Sequence, residues 1–219
     1  MRAFARSQSL KKKAFFFRGY TQALFFLLLI LYVCFFSPYF FAGTWLNTVL
    51  DGAGLGFLIV GEFFRIWAVS HAGKSTRSRR LKAPVLFTTG PYAVVRNPIY
   101  LGNFLIGLGM VVFAGAMLFV PLFLIFFCIQ YRAIVAQEES FLREKFAEEY
   151  HRYCCLVPKW FPRAKPITRS FGFGPIFFSK ELGTAWGIVV GAFFFHWIDS
   201  PLHRLWITGV WYWLKDVTG

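Results

Sequence analysis

Charge is scarce in this chain where a soluble protein would need it. Tyr20 to Leu50 contains no Asp, Glu, Lys or Arg, and neither does Asn97 to Tyr131. Overall 16% of the 219 residues are charged, while 57% are hydrophobic and 21% aromatic. Thirty Phe and eight Trp exceed what one soluble core of this length buries, so an ordinary soluble domain is excluded. Acidic residues are the rarer charged class, 10 against 24 Lys and Arg. Cys34 and Cys128 fall inside apolar blocks, and Cys154 and Cys155 are adjacent, so neither a disulfide scaffold nor a metal-ligand spacing is present. His71, His151, His196 and His203 are equally without ligand spacing, and no metal is expected. "GAGLG" at 52–56 lacks the strand and helix context of a dinucleotide loop, and helix packing through Gly52 and Gly56 is expected instead. No small-residue cleavage pattern closes the first apolar block, so a removed leader is not expected.

What is present can be measured against a bilayer, where one helical crossing takes about 20 apolar residues. Residues 20–42 hold one crossing and 48–70 a second. The uncharged run from Asn97 to Tyr131 is too long for one helix at about 1.5 Å per residue and suits a tight hairpin, 98–114 and 117–135, turning at Ala114-Gly115-Ala116. Basic residues gather before the first crossing (Arg2, Arg6, Lys11, Lys12, Lys13, Arg18), after the second (Lys74, Arg77, Arg79, Arg80, Lys82) and after the fourth, from Arg132 onward. The connections at 42–50 and 114–116 carry none. By the positive-inside rule the N-terminus, the 71–98 loop and the segment after the hairpin face the cytoplasm. The basic balance could also suit nucleic acid, but no nucleic-acid motif accompanies it and none is expected to bind.

The expected fold is an all-α integral membrane protein: two core transmembrane helical hairpins plus a C-terminal hydrophobic helix. Residues 1–19 form a basic cytoplasmic tail, 20–70 the first hairpin, 71–163 a central unit, and 164–219 a membrane-associated extension. The fourth crossing is expected to continue unbroken into a cytoplasmic helix. There Leu142, Phe146, Tyr150 and Tyr153 repeat on one face, and Pro158 closes it. "LVPKWFPRAKP" reads as an irregular strip along the headgroups. Whether 183–198 crosses fully is left open by its length. If it does, Trp206, Trp211, Tyr212 and Trp213 lie at the outer interface.

Two polar clusters stand out. The first is "TTGPYAVVRNPIYLGNF", residues 88–104: a Gly-Pro turn at 90–91, then Arg96-Asn97-Pro98 opening a helix whose unpaired N–H groups favour an anion. The second is Glu138-Glu139, whose side chains point about 100° apart on a helix and so cannot share one solvated face. If the second hairpin is antiparallel, the two clusters meet at the cytoplasmic surface. Glu62 and Arg65, three apart, are expected to pair. Asp51 is expected at the outer interface, and "KSTRSRRLK" supplies topogenic charge and headgroup contact.

These segments, with "QEESFLREKFAEEYHRYCCLVPKWFP" and the spacing between them, resemble the isoprenylcysteine carboxyl methyltransferase family, within the wider group of membrane phospholipid methyltransferases. The resemblance covers roughly residues 50–163 and makes 71–163 the methyltransferase core. It implies S-adenosylmethionine bound in a cytoplasmic pocket built by the two segments. It further implies that Tyr92, Asn97, Pro98, Ile99 and Tyr100 line that pocket and that Val85, Leu86 and Phe87 meet the adenosine. Glu138 would engage the cofactor's polar end, with Glu139 as the adjacent alternative, and Arg96 would brace the loop. The family's Arg-His-Pro is Arg96-Asn97-Pro98 here, and Asn cannot titrate near neutral pH. The substrate-holding Arg of protein-directed members is Ile134, for which Arg132 or Arg65 are candidate substitutes. The family's Phe-Gly is Phe146-Ala147.

The expected acceptor is a lipophilic small molecule, a membrane lipid or a prenylated substrate. A carboxylate acceptor needs only a clamp, whereas an amine or hydroxyl acceptor needs a base, and Glu138 and Glu139 are the nearest. Two rival readings are a membrane NADPH-dependent reductase of the steroid-reductase type and a non-enzymatic membrane adaptor. Oligomeric state is not encoded in any motif.

Overall fold

A computed structural model describes residues 17, 19–34, 44–72, 83–163 and 178–199. Every regular element among them is helical: α1 (Gly19–Cys34), α2 (Trp45–Ala72), α3 (Pro98–Phe113), α4 (Val120–Leu156) and α5 (Phe178–Asp199). One turn of 3₁₀ helix at Gly90–Ala93 precedes α3, and another at Met117–Phe119 precedes α4. Two helices, Trp45–Ala72 and the run Met117–Leu156, are long and apolar enough to cross a membrane; Gly19–Cys34, Pro98–Phe113 and Ala185–Phe194 are shorter apolar helices. The basic tail, the 73–82 basic loop, the expected strip beyond 163 and the aromatic stretch with Trp206 to Trp213 lie outside the described residues.

The hairpin between α3 and α4 turns where its small residues are. Gly115 adopts φ 64°, its N–H bonds to the Val112 carbonyl at 3.0 Å, and the Ala116 N–H bonds to Val111 at 3.1 Å. This paired capping satisfies carbonyls that the helix end would otherwise leave open, and the left-handed residue in it is a glycine. Pro98 opens α3 and a second proline lies in the first turn of α4, where a missing N–H costs nothing.

Glycines also set the α2–α3 contact. A Cβ on Gly54 would lie 2.7 Å from the Phe113 nitrogen, one on Gly61 2.9 Å from the Gly102 carbonyl, and one on Gly109 2.9 Å from the Gly54 carbonyl. The backbones therefore touch, which favours association in an apolar solvent where burial alone does not. The expectation for Gly52 and Gly56 is not met: a Cβ on either has nothing within 4 Å among the described residues. They share a helical face, but Gly54 lies two residues, about 200°, from each. The partner helix sits on Gly54's side.

Aromatic rings fill the rest of the core. Phe25 of α1 lies among Phe119, Phe123 and Phe126 at centroid distances of 5.2, 5.6 and 4.7 Å. Phe104 of α3 meets Phe123 at 5.7 Å and Phe127 at 4.8 Å. Gly191 brings α5 against Met110. The outward faces are apolar too: Leu24, Leu27, Leu28, Leu55, Ile59, Phe63, Leu122, Ile125, Ile129, Val189 and Phe193 are all exposed. Water would penalise such a surface, and hydrocarbon would not.

α4 departs from expectation at one residue. It is not unbroken: Ala147 has φ 37° and ψ −109°, so two helical runs meet at a kink. The expected apolar face survives it. Tyr150, Tyr153 and Val157 form a second buried cluster with Leu86, Leu142, Phe146 and Cys154 packed around it, and the helix ends one residue before its C-cap Val157 and Pro158.

Candidate active site

The 88–97 segment is folded against two helices before α3 begins. Gly90 takes φ 58°, and a Cβ there would overlap the ring of His71 at the end of α2. His71 Nδ1 lies 2.9 Å from the Trp67 carbonyl, which makes it the N–H donor and leaves Nε2 facing Gly90. The following turn is closed by the Tyr92 N–H on the Thr89 carbonyl and by the Val94 and Val95 N–H groups on Pro91. Tyr153 donates its hydroxyl to the Tyr92 carbonyl at 2.8 Å, and Phe87 lies 6.0 Å from the Tyr92 ring. The α4 extension thus pins the loop from one side while α2 wedges it from the other.

The two carboxylates of α4 have separate surroundings. Glu138 accepts a 2.6 Å hydrogen bond from the Tyr100 hydroxyl on α3. Burial, and then the charge of Glu138, push the Tyr92 phenol well above its ordinary range, so Tyr92 stays neutral beside the carboxylate. Glu139, 7% exposed, faces the loop and is held by three cations: Lys159 at 3.0 Å, Arg96 at 3.3 Å and Arg143 at 3.5 Å. Arg96 also donates to the Cys154 sulfur at 3.0 Å. Burial, then Glu139 and Cys154, raise the neighbouring Tyr150 phenol.

Asn97, 9% exposed, does not cap α3 with its side chain. Its amide donates to the Lys159 carbonyl at 3.1 Å. Two backbone bonds run alongside, Arg96 N–H to Pro158 at 2.9 Å and Arg163 N–H to Val94 at 3.1 Å. Residues 157–163 are thereby laced to 94–97, with Trp160 reaching the Phe127 ring at 6.4 Å. Sequence reasoning did not single out Lys159, Trp160, Tyr131 or Tyr153 for the site. The first two lie in "VPKWFP", whose Pro-flanked Lys-Trp was the available signal.

The structure brings Tyr92, Tyr100, Glu138 and, one helix position on, Glu139 to one end of the bundle. Pro98 is fully buried beneath the loop, and Ile99 is half-buried. Phe87 and Leu86 flank the site, Leu86 on the Tyr150 cluster, whereas Val85 is exposed. Arg65 pairs with Glu62 at 3.6 Å as expected and also donates to Asn103 on α3. Arg132 is exposed, and Ile134 is wholly buried. Asp51 accepts from Asn47 at 3.1 Å. Among the described residues no three His, Cys, Asp or Glu side chains gather as a metal site.

Residues 50–149 match the phospholipid methyltransferase family model. The chain is 33% identical over 119 residues to the protein-S-isoprenylcysteine O-methyltransferase of Schizosaccharomyces pombe, covering 52% of this chain and 50% of that one. The chain is also 30% identical over 131 residues to protein-S-isoprenylcysteine O-methyltransferase B of Arabidopsis thaliana, covering 56% and 64%. A third relative is the cobalt-zinc-cadmium resistance protein CzcN of Cupriavidus metallidurans, 27% identical over 122 residues, covering 55% and 53%. The chain spans about half the length of the first curated relatives it matches. No solved structure matches it.

The donor set suits S-adenosylmethionine chemically. Phe87, Tyr92 and Tyr100 offer flat aromatic faces to a base or a sulfonium, and Glu138 offers acceptors to an ammonium or a ribose hydroxyl. Beside Glu138, the Gln137 Oε1 is buried without a hydrogen-bond partner among the described residues. An orphaned buried acceptor costs about 1–3 kcal/mol until a donor reaches it.

Proposed function

We propose that this chain is an S-adenosylmethionine-dependent methyltransferase that works on a lipophilic or prenylated acceptor at a membrane surface. The observation that carries the reading is the Tyr100 hydroxyl on Glu138 at 2.6 Å. It joins the two segments that carry the resemblance, "TTGPYAVVRNPIYLGNF" and "QEESFLREKFAEEYHRYCCLVPKWFP". When bound, the cofactor supplies an electrophilic methyl on a sulfonium, whose displacement leaves a neutral thioether.

The chain's own residues then position and shield. Phe87, Tyr92 and Tyr100 seat the donor's aromatic and cationic parts, and Glu138 fixes its polar end. Glu139 acts through structure: with Arg96, Arg143 and Lys159 it locks the 88–97 loop and the 157–163 strip to α4. Such positioning is the larger part of catalysis for an in-line displacement, because donor and acceptor are already reactive once aligned. If the acceptor is an amine or a hydroxyl, Glu138 is the carboxylate placed to take its proton.

The apolar outer faces support a bilayer setting. In it α1 to α4 cross as two hairpins, α5 adds a C-terminal hydrophobic helix, and the site faces the cytoplasm with the N-terminus. An amphipathic acceptor then keeps its tail in hydrocarbon while its head reaches Glu138. Arg65 is the cation nearest in kind to a substrate clamp, through Asn103; exposed Arg132 serves only an acceptor approaching from outside the bundle. A prenylated protein is one acceptor, since two relatives are named for it. A free lipid is the other, since the family model is named for phospholipid. The test is labelled methyl incorporation into extracted membrane lipid and protein by wild type and Glu138→Gln. The reading expects incorporation to fall by about 10²-fold or more in the variant. Equal incorporation contradicts the role of Glu138.

A further inference from the structure

The site is flanked by a polar chain that crosses all four core helices. On α2, Arg65 pairs with Glu62 and donates to Asn103 Oδ1 on α3. Asn103 Nδ2 donates to the Tyr131 hydroxyl on α4 at 3.1 Å, and Gln22 of α1 donates to the same oxygen. One position away, Gln130 donates to Thr21 of α1 at 2.6 Å. The chain has a direction. A guanidinium can only donate, so it fixes which end of the Asn103 amide faces α2 and which faces α4. Tyr131 oxygen therefore receives two amide donors, one from each side.

The Tyr131 ring is just as constrained. It is 2% exposed and stacks on Phe127 at 4.0 Å and 21°. It also meets the Tyr100 ring edge-on, at 5.0 Å and 68°. Tyr100 is the residue whose hydroxyl reaches Glu138. A phenol on a helix has two free torsions, and a 2.6 Å bond survives only if both are held. The Tyr131 ring supplies the wall, and its hydroxyl is the anchor that keeps that wall in place.

We propose that Tyr131 is a positioning residue for the Tyr100–Glu138 pair, and that Asn103, Arg65 and Gln22 act on the site through it. This rests on the methyltransferase reading for its kinetic consequence but not for its structural one. Polar side chains between membrane helices also serve as adhesion, each contributing modestly. A purely adhesive role predicts lower stability with no effect on how tightly Tyr100 and Glu138 are coupled. A positioning role predicts that the coupling itself is lost.

The experiment is a double-mutant cycle on the full chain in detergent, read by thermal unfolding. Tyr100→Phe, Glu138→Gln and the double variant are compared in the native background and again with Tyr131→Phe, which keeps the ring and removes the anchor. The proposal expects the Tyr100–Glu138 coupling to fall to less than half in the Tyr131→Phe background. Unchanged coupling overturns it. Gln22→Leu, which removes one donor from the far side of the hydroxyl, is the second background and is expected to weaken the coupling in the same direction; if it and Tyr131→Phe both leave coupling intact, the relay does not exist. In the kinetic arm, Tyr131→Phe lowers kcat about tenfold with the donor KM within about twofold, and Tyr100→Phe with Tyr131→Phe is no slower than Tyr100→Phe alone. Multiplying losses overturn the proposal. A wild-type protein that transfers no methyl group sinks the enzymatic reading and leaves the coupling measurement to decide this one.

Discussion

Tyr100 and Glu138, 38 positions apart on two antiparallel helices, are joined by a 2.6 Å hydrogen bond from phenol to carboxylate. Glu139, the next residue, is held instead by Arg96, Arg143 and Lys159. Two adjacent carboxylates therefore have different duties, and single substitutions separate them. Tyr100→Phe removes one charge-assisted hydrogen bond, worth about 1.5–3 kcal/mol. Methyl transfer is expected to fall by about 10- to 100-fold, and unfolding stability by no more than the worth of that bond.

Glu139→Gln should weigh more on stability than on methyl transfer. Arg96 has 16% of its side chain exposed, and removing its counter-charge strands a guanidinium under the loop. The expected cost is about 3 kcal/mol, measured by denaturant or thermal unfolding. Arg143, 64% exposed, contributes within about 1 kcal/mol, so Arg143→Ala is expected to be nearly silent. Equal destabilisation by Glu138→Gln and Glu139→Gln contradicts the division.

Ala147 holds a backbone conformation that a Cβ disfavours, φ 37°. Ala147→Gly is expected to raise stability by about 1 kcal/mol, against the usual penalty of glycine inside a helix. A drop of the size seen at ordinary helical alanines would mean that the kink does not exist.

The α2–α3 contact is tested by adding single methyl groups. Gly102→Ala would place its Cβ 2.7 Å from the Gly61 carbonyl and from Arg65 Cγ. The helices must separate, at a cost of about 1–3 kcal/mol, and activity falls with stability because Arg65 moves. Gly56→Ala, in open space, is expected to be neutral or to stabilise by up to about 1 kcal/mol.

Tyr153 supplies the alkaline signature. Burial, then the neighbouring Tyr92 and Tyr150, raise its phenol above the ordinary value. A folded-state value above the unfolded one means the associated stability is complete below about pH 10, where the unfolded phenol is still protonated. It declines as pH rises further, because only the unfolded state ionises. The unfolding temperature of wild type is expected to fall more steeply above about pH 10 than that of Tyr153→Phe.

Much of this site is legible in the sequence, for definite reasons. The meeting of Tyr100 with Glu138 follows from one uncharged run too long for a single helix and from a small-residue turn at 114–116. The Glu138–Glu139 split follows from helical geometry alone. The Gly54 contact is not legible, because spacing names candidate faces but cannot say which face a partner takes. The kink at Ala147 is masked by an alanine, the best helix former, standing where the resembling family has glycine. The resemblance implies that Asn97 lines the pocket, yet its amide serves the Lys159 carbonyl, which only the path of 157–163 determines. Tyr131 looks like an ordinary member of an apolar helix until Asn103 and Gln22 are seen on either side.

The most direct test is isothermal titration of the purified protein with adenosylhomocysteine and, separately, with NADPH. The account predicts saturable binding of adenosylhomocysteine at one site, weakened about tenfold or more by Glu138→Gln and by Tyr92→Ala, with no heat from NADPH. Binding of NADPH with none of adenosylhomocysteine, or adenosylhomocysteine affinity unchanged in both variants, would contradict it.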